Sequence, residues 1–455
     1  LAWVVIWAPP ASASRRQLTR YPYLTNVVFN GQRYNATVNW ATDRSRSAAY
    51  VTFGRAGVER ATAHRVNATK TRVNVSGVRE YQWRATVSGL KSGARYAYRV
   101  FFDNPRLGLL GTDPSPVFRT PPKPGSRSTF SFAVTADWGT TSSDPYQHRL
   151  QAEIAGTGAR FVLSAGDVAY PSGNEANYGD LFQTGNDVSA VFAPRYYKPI
   201  GKRMSMFGTP GNHGLNATFL TVWPEPTAAA ASGGRYRMDT YRVPGTKTTR
   251  YPSVWYAFSA GRARFYVLTA AWPNANLGTG SLYSNDHAAH WKKTSAEYRW
   301  LAKDLARHRN KLKFALFHFP MYSDCSTEPT DTYLHGAGSL AALLTRYRVR
   351  FVFNGHAHVY ERNFKQPGES FVSYVLGGGG ESLEAIGAKV SSPFDAYGLG
   401  WSATTGTGSA TGSASVPTSP AQVFSFALVT VTTTGVTVRP TNAQGESFDV
   451  VRYPY

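Results

Sequence analysis

Five apolar runs set the terms for what this chain can fold into: FSFAVTA (130–136), RFVLSAG (160–166), RFYVLTA (264–270), KFALFHF (313–319) and RFVFNGH (350–356). Strands that are apolar at successive positions are covered on both faces, so the runs predict an α/β layered domain. Between the third and fourth, Tyr298, Leu301 and Leu305 recur at helical spacing among Arg and Lys, which predicts an amphipathic crossover helix. Polar residues come directly after the strands. Asp137 succeeds the first run, Gly166-Asp167-Val-Ala-Tyr170 the second, and Gly211-Asn212-His213 a Pro turn; His318 lies inside the fourth run, and Gly355-His356-Ala-His358 overlaps the end of the fifth. In open α/β sheets ligands collect beyond the carboxyl ends of the strands, so these distant residues are expected to converge there. Asp, Asn, Tyr and His offer metals oxygen and nitrogen, and the single cysteine, Cys325, excludes both an intramolecular disulfide and a thiolate zinc site. Taken singly, each has a structural explanation as a cap, a turn residue or a core histidine. Their joint occurrence at strand ends points to a site.

The region before these runs has period two. Tyr34, Ala36, Val38 and Trp40 alternate, as do Tyr81, Trp83, Ala85 and Val87, and then Tyr96, Tyr98 and Val100. Trp40 is placed like the core Trp of an immunoglobulin-like sandwich, and residues 22–120 resemble a fibronectin type III-like domain. The prolines of Thr120-Pro-Pro-Lys-Pro-Gly125 predict a stiff linker over 121–127. Gly377–Gly380 lacks the Lys-Ser/Thr of a phosphate loop and reads as a turn. In a C-terminal segment, 381–455, the Thr/Ser/Gly/Ala-rich stretch 402–415 reads as a mobile loop and VFSFALVTVTTTGVTV (423–438) as a closing β-hairpin.

At 455 residues the chain has room for two or three domains at roughly 100–200 residues each. A hydrophobic content of 42% excludes a disordered polyelectrolyte despite a net charge of +22. Residues 15–127 hold 20 Lys+Arg against 5 Asp+Glu, which makes the N-terminal domain either a solubilising surface or a face for a polyanionic wall or matrix. No aromatic-plus-basic signature accompanies the charge, so specific nucleic-acid binding is not expected. Leu1–Ser14 joins an apolar run to Ala-Ser-Ala, the pattern of an export signal, and no later stretch is long and apolar enough for a transmembrane segment. A secreted or cell-wall protein is expected, with Asn35, Asn67, Asn74 and Asn216 opening glycosylation sequons.

The blocks Asp137-Trp-Gly139, Gly166-Asp167-Val-Ala-Tyr170, Gly211-Asn212-His213, His318 and Gly355-His356-Ala-His358 are similar to those of the calcineurin-like metallophosphoesterases. Tyr170, three residues after Asp167, marks the resemblance as one to the purple acid phosphatases, as do FHFPMYS (317–323) and GHAHVYER (355–362). The resemblance covers most of residues 22–380. It implies an N-terminal all-β fibronectin III-like sandwich followed, over 128–380, by an α/β metallophosphoesterase β-sandwich flanked by helices. It further implies a dinuclear metal centre, with one ion on Asp137, Tyr170 and His358, a second on Asn212, His318 and His356, and Asp167 bridging. The family pattern is Fe(III) with Zn, Fe or Mn, and two anionic ligands in the first set suit the trivalent ion.

The activity implied is hydrolysis of a phosphate ester by attack of a metal-bound hydroxide, with His213 binding a phosphate oxygen or protonating the leaving group. The paired substrate histidines of plant members have no clear match in SDCSTEPTDTYLH (323–335), which leaves His335 as a candidate substitute. His287 and His290 read as solvent-facing. An exported acid phosphatase acting on monoesters is the leading expectation. A phosphodiesterase or nucleotide pyrophosphatase would use the same site, and a non-catalytic binder of anionic surfaces would have no use for seven ligands.

Overall fold

The computed structural model describes residues 18–45, 48–57, 64–103, 106–139, 146–182, 191–193, 196–214, 216–226, 232–242, 248–269, 293–325, 327, 334–336, 338–387 and 394–455. The leader expected at 1–14 and the histidines His287 and His290 lie outside the described residues. With strands numbered in chain order, the alternating N-terminal segments form two layers. One contains β1 (Leu18–Phe29), β2 (Tyr34–Thr42), β5 (Thr69–Val75) and β6 (Val78–Leu90). The other contains β3 (Ala49–Arg55), β4 (His64–Asn67), β7 (Arg95–Phe102), β8 (Leu107–Gly108) and β9 (Val117–Arg119). Trp40 and Trp83 stack at 6.4 Å in the core between them, both almost fully buried.

The continuous apolar runs form a second sandwich. In one sheet β10 (Phe130–Thr135), β11 (Phe161–Ser164) and β12 (Ser205–Gly208) run parallel, flanked by the antiparallel β22 (Ser425–Val431), β23 (Gly435–Asn442) and β24 (Val451–Pro454). The facing sheet holds β13 (Arg235–Arg242), β14 (Thr248–Ala260), β15 (Ala263–Val267), β16 (Leu312–Leu316), β17 (Phe351–Asn354), β18 (Tyr360–Asn363), β19 (Val372–Leu376), β20 (Asp395–Ser402) and β21 (Thr407–Gly412). Of these, β15, β16, β17 and β19 are parallel. Phe132 reaches across edge-on to Phe265 and Phe314, at 5.0 and 5.2 Å, so aromatic rings on the two inner faces interlock.

Helices α1 (Tyr146–Gly156), α2 (Glu175–Tyr178), α3 (Lys198–Gly201), α4 (Thr218–Val222), α5 (Ala296–Arg307) and α6 (Leu340–Arg346) complete the described elements. The amphipathic pattern read at 298–305 is α5. Ser295 caps its start by accepting from Tyr298 N, and Leu301 and Leu305 bury with Leu340, Leu344, Ala315 and Val352 beside the second sheet. No helix among the described residues is long and apolar enough to cross a membrane.

The two sandwiches are not separate beads. β1 pairs in parallel with β12 through Thr25 and Met206, so a ten-stranded sheet runs unbroken through both. Arg20 seals the junction. Its fully buried guanidinium donates to Gly179 O (2.9 Å), Gln82 Oε1 (3.3 Å) and Glu175 Oε2 (2.6 Å), joining β1 and β6 to the loop carrying α2. The linker 121–127 is docked as well, since Gly125 N donates to Gly261 O and Gly261 N to Pro122 O.

One tail reading needs correction. The stretch 402–415, read as a mobile loop, supplies β21, which pairs with β20 from Tyr397↔Gly412 to Ser402↔Thr407. Backbone hydrogen bonds hold it there without the apolar alternation that would have announced a strand. The segment from 381 onward joins both sheets: β22 pairs with β10, and β20 with β18.

Replacing Arg20 with Ala should cost about 3–5 kcal/mol, since it leaves carboxylate and carbonyl acceptors unpaired at a buried junction; urea denaturation measures this. A second test concerns pH. Asp395, Asp324 and Glu361 are buried together, with Asp395 N donating to Asp324 Oδ2 (3.0 Å) and Asp324 N to Glu361 Oε1 (2.8 Å). Burial pushes the Asp395 carboxyl up to about 8, so this group takes up a proton on folding. Its contribution to stability must therefore decline as pH rises from the ordinary carboxylate range through about 8. Asp395→Asn should flatten that decline in denaturation curves recorded from about pH 5 to about pH 8.

Candidate metal centre

Each chemical block begins within a few residues of the carboxyl end of a parallel strand, and both sheets deliver those ends to one edge of the sandwich. Asp137 follows β10, Asp167 follows β11, Asn212 follows β12, His318 follows β16 and His356 follows β17. The turns are sharp. Asp137, Asp167 and His356 have φ of 53°, 46° and 74°, a left-handed backbone that costs a non-glycine residue about 1–3 kcal/mol. Backbone contacts hold the strained residues: Asp137 N donates to Gly166 O, Trp138 N to Asp167 O, and His356 N to Asp137 Oδ2 (2.9 Å). Close approach fixes the glycines of two blocks. A Cβ on Gly211 would lie 1.9 Å from Asp167 Oδ1, and one on Gly355 would lie 2.4 Å from Asp137 Oδ2.

All seven predicted ligands come together, in two groups. Tyr170 Oη lies 3.0 Å from Asp137 Oδ1 and 3.2 Å from His358 Nε2. Asn212 Oδ1 lies 2.8 Å from His318 Nε2 and 3.1 Å from His356 Nδ1. Asp167 Oδ2 stands between the groups, 3.3 Å from Tyr170 Oη and 3.1 Å from His318 Nε2. Asp137, Asp167 and His318, with side chains at most 1% exposed, present ligand atoms within 4.8 Å of one another.

The chemistry of the donor set tests whether cations belong here. His318 Nδ1 is 2.8 Å from Ala165 O, and a carbonyl only accepts, so Nδ1 carries the ring proton. In the neutral ring the Nε2 lone pair then faces Asp167 Oδ2 and Asn212 Oδ1, three acceptors with no donor among them. His358 repeats the arrangement: Nδ1 donates to Ser382 O (2.8 Å) and Nε2 is turned toward Tyr170 and Asp137. Such convergence is stable when positive charge fills it, and the outer carbonyls that fix both rings are the usual support of metal-bound histidine.

The ionisation of the groups says the same. Burial pushes the Asp137 carboxyl up to about 7, opposed by His318 and His358. At Asp167 burial also raises, but His318 and His213 outweigh it and the net shift is downward. Burial alone would lower His318, yet Asp167 and Asp137 carry it up to about 9. Burial, then Asp137 and Asp167, hold the Tyr170 phenol well above its ordinary value, so a phenolate here requires a cation beside it.

Residues 130–360 match the model of the calcineurin-like phosphoesterases, and residues 22–120 match that of the purple acid phosphatase N-terminal domain. The chain belongs to the calcineurin-like phosphoesterases. Its pairing of domains is that of the purple acid phosphatases. Among curated proteins it is similar to purple acid phosphatase 1 of Ipomoea batatas, 22% identical over 338 residues, covering 69% of this chain and 61% of the relative. It is also similar to the phosphoenolpyruvate phosphatase of Allium cepa, 23% identical over 257 residues, covering 54% of this chain and 45% of that one. The chain thus spans about half to three fifths of the length of these relatives. In fold it is similar to the purple acid phosphatase PPD1 isolated from yellow lupin (Lupinus luteus) seeds, with a TM-score of 0.65 at 16% identity over 96% of this chain and 74% of the other.

Within this calcineurin-like centre, His213 sits against the second block. Its backbone N donates to Asp167 Oδ1 (2.8 Å), its ring lies 4.5 Å from that of Tyr170, and Nδ1 donates to Pro171 O (2.7 Å). That leaves Nε2 as the nitrogen available to a ligand. His335 is not brought into the cluster. Its Nε2 meets Met321 O at 2.6 Å, its ring packs 4.6 Å from Tyr322, and burial lowers its pKa, so it is held as a neutral packing residue.

Sequence reasoning missed the segment after Gly377–Gly380. Glu381 N donates to Asp137 O (2.9 Å), Ser382 O orients His358, and Glu384 Oε2 accepts from His358 N (2.9 Å). A boundary drawn at residue 380 cuts through the site. The available signal was position: β19 lies parallel beside β17, so the residues after Leu376 arrive at the same edge. Gly211→Ala should lower metal affinity or activity by about 10–100-fold, through displacement of Asp167, with circular dichroism unchanged; metal content after gel filtration reads the effect.

Proposed function

We propose that the protein is an exported acid phosphatase that hydrolyses phosphate monoesters at a dinuclear centre. In this reading Asp137, Tyr170 and His358 would hold an Fe(III) ion, Asn212, His318 and His356 would hold a divalent Zn, Fe or Mn, and Asp167 would serve both. The observation that carries it is the division of the seven ligands into two groups with Asp167 Oδ2 within 3.3 Å of both. The first group carries two ionisable oxygens besides the bridge, matching the harder ion; the second is neutral. Bound metals would supply charge neutralisation for the phosphoryl group and acidify water.

The chain's own residues supply position and proton handling. Ala165 O and Ser382 O hold His318 and His358 in one tautomer, aimed inward. Pro171 O holds the His213 Nδ1 proton, so only the imidazolium form, with a second proton on Nε2, can donate to a phosphate oxygen or give that Nε2 proton to the departing alcohol. The partly exposed residues of the cluster include Asn212, His213 and His358, so substrate is taken to arrive from that side. His213→Ala should then lower kcat by about 10²–10⁴-fold while leaving metal content intact.

Initial rates on p-nitrophenyl phosphate and on its bis ester, with metal analysis and a visible spectrum, test the assignment. Faster monoester cleavage and a visible band lost in Tyr170→Phe are expected. Preference for the bis ester would replace the monoesterase reading with a phosphodiesterase, and an active, colourless, zinc-only protein would remove iron from it.

A further inference from the structure

The amino-terminal ends of the same strands form a second concave surface of opposite character. A cavity of about 540 Å³ is lined by Arg127, Arg262, Arg309, Lys311, Lys313, Arg348 and Arg350, with Tyr455 in its wall and no carboxylate side chain in its lining. Among the described residues none of these seven cations forms an ion pair with Asp or Glu. Several are fixed by neutral partners. Arg262 donates to Thr433 O (3.0 Å) and lies 4.1 Å from the Tyr455 ring centroid; Arg350 donates to Pro454 O (3.1 Å). Lys313, 1% exposed, donates to Arg309 O (2.8 Å) and Lys311 O (3.1 Å). These contacts hold the charges in place and leave them uncompensated.

Helix polarity accounts for a part only. α5 and α6 both end at this cavity, and their carboxyl termini favour cations, but each terminus is equivalent to roughly half a negative charge against seven positive ones. Arg348 adds a conformational argument. It occupies the residue just past the α6 cap with φ of 54°, where glycine is the usual choice, so an arginine is carried there at a backbone cost.

We propose that this cavity is a binding site for a compact polyanion bearing several phosphate or sulfate groups. The guanidinium forks suit the bidentate geometry of such groups, and the volume is that of a small-ligand pocket. At about 3.3 Å per residue, the five residues of β16 place the cavity roughly 17 Å from the carboxyl edge that holds the metal ligands. An occupant is therefore a second ligand and not the substrate of the metal centre. The site is independent of which ester that centre cleaves.

Calorimetric titration of the full chain with sucrose octasulfate at low ionic strength tests the site, because a sulfate ester is not a phosphatase substrate. Saturable one-to-one binding is expected. The exposed replacements Arg127→Gln, Arg309→Gln and Arg348→Gly, combined, should weaken it by about tenfold or more, since each removes a charge-assisted hydrogen-bond donor. Arg72→Gln, Arg79→Gln and Lys91→Gln, combined on the exposed face of the N-terminal sandwich, should leave it unchanged. Melting temperatures no lower than that of the wild type establish that both variants fold. Absence of binding to the wild type, loss in the N-terminal variant instead, or competitive inhibition of ester hydrolysis by octasulfate would overturn the proposal.

Discussion

A buried convergence of two carboxylates, imidazole nitrogens and a phenol is the constraint around which the second sandwich is built. Asp137 and Asp167 are kept within reach of two imidazole lone pairs and a phenol, an arrangement that protons or cations must hold together. Keeping it open requires backbone in the left-handed region at three candidate ligands and glycine at positions where a methyl group would strike a carboxylate. It also requires a rigid frame, which the interlocked phenylalanines of the two sheets supply.

The N-terminal sandwich belongs to that frame. β1 adds directly to β12, the strand that ends in the Asn212 block, so the N-terminal domain braces a strand that carries a candidate metal ligand. Arg20 extends the brace to Glu175 and Gly179, a few residues beyond Tyr170. Mechanical support for the centre is thus a physical role for a domain whose composition suggested a solubilising surface or an anionic partner.

Legibility followed the strength of the local signal. The seven candidate ligands were readable because each adjoins a continuous apolar run or a glycine turn. Ser382 and Glu384 were hidden because they act through a backbone carbonyl and an outer hydrogen bond, which leave no residue pattern. The pairing of β21 with β20 was hidden by composition, since Thr, Ser, Gly and Ala along the half-exposed β21 show no apolar alternation. His335 was overread: a histidine in roughly the right stretch of chain suggested a substrate role, while packing on Tyr322 and a bond to Met321 determine what it does.

The charge distribution shows the same difference between chain order and space. Summed along the sequence, residues 128–455 are only mildly basic, because their carboxylates offset their cations. The fold separates the two along the strands. Asp137 and Asp167 sit beyond the carboxyl ends, whereas Lys313 and Arg350 immediately precede Phe314 and Phe351 near the amino ends of β16 and β17. Parallel strands require this separation to be collective: residues that precede successive strands gather at one edge, and those that come after gather at the other. A basic residue before one strand is an ordinary surface charge, but repeated before neighbouring parallel strands it becomes a concentrated field. The strand pattern that brings the acceptors together at one edge therefore collects cations at the other.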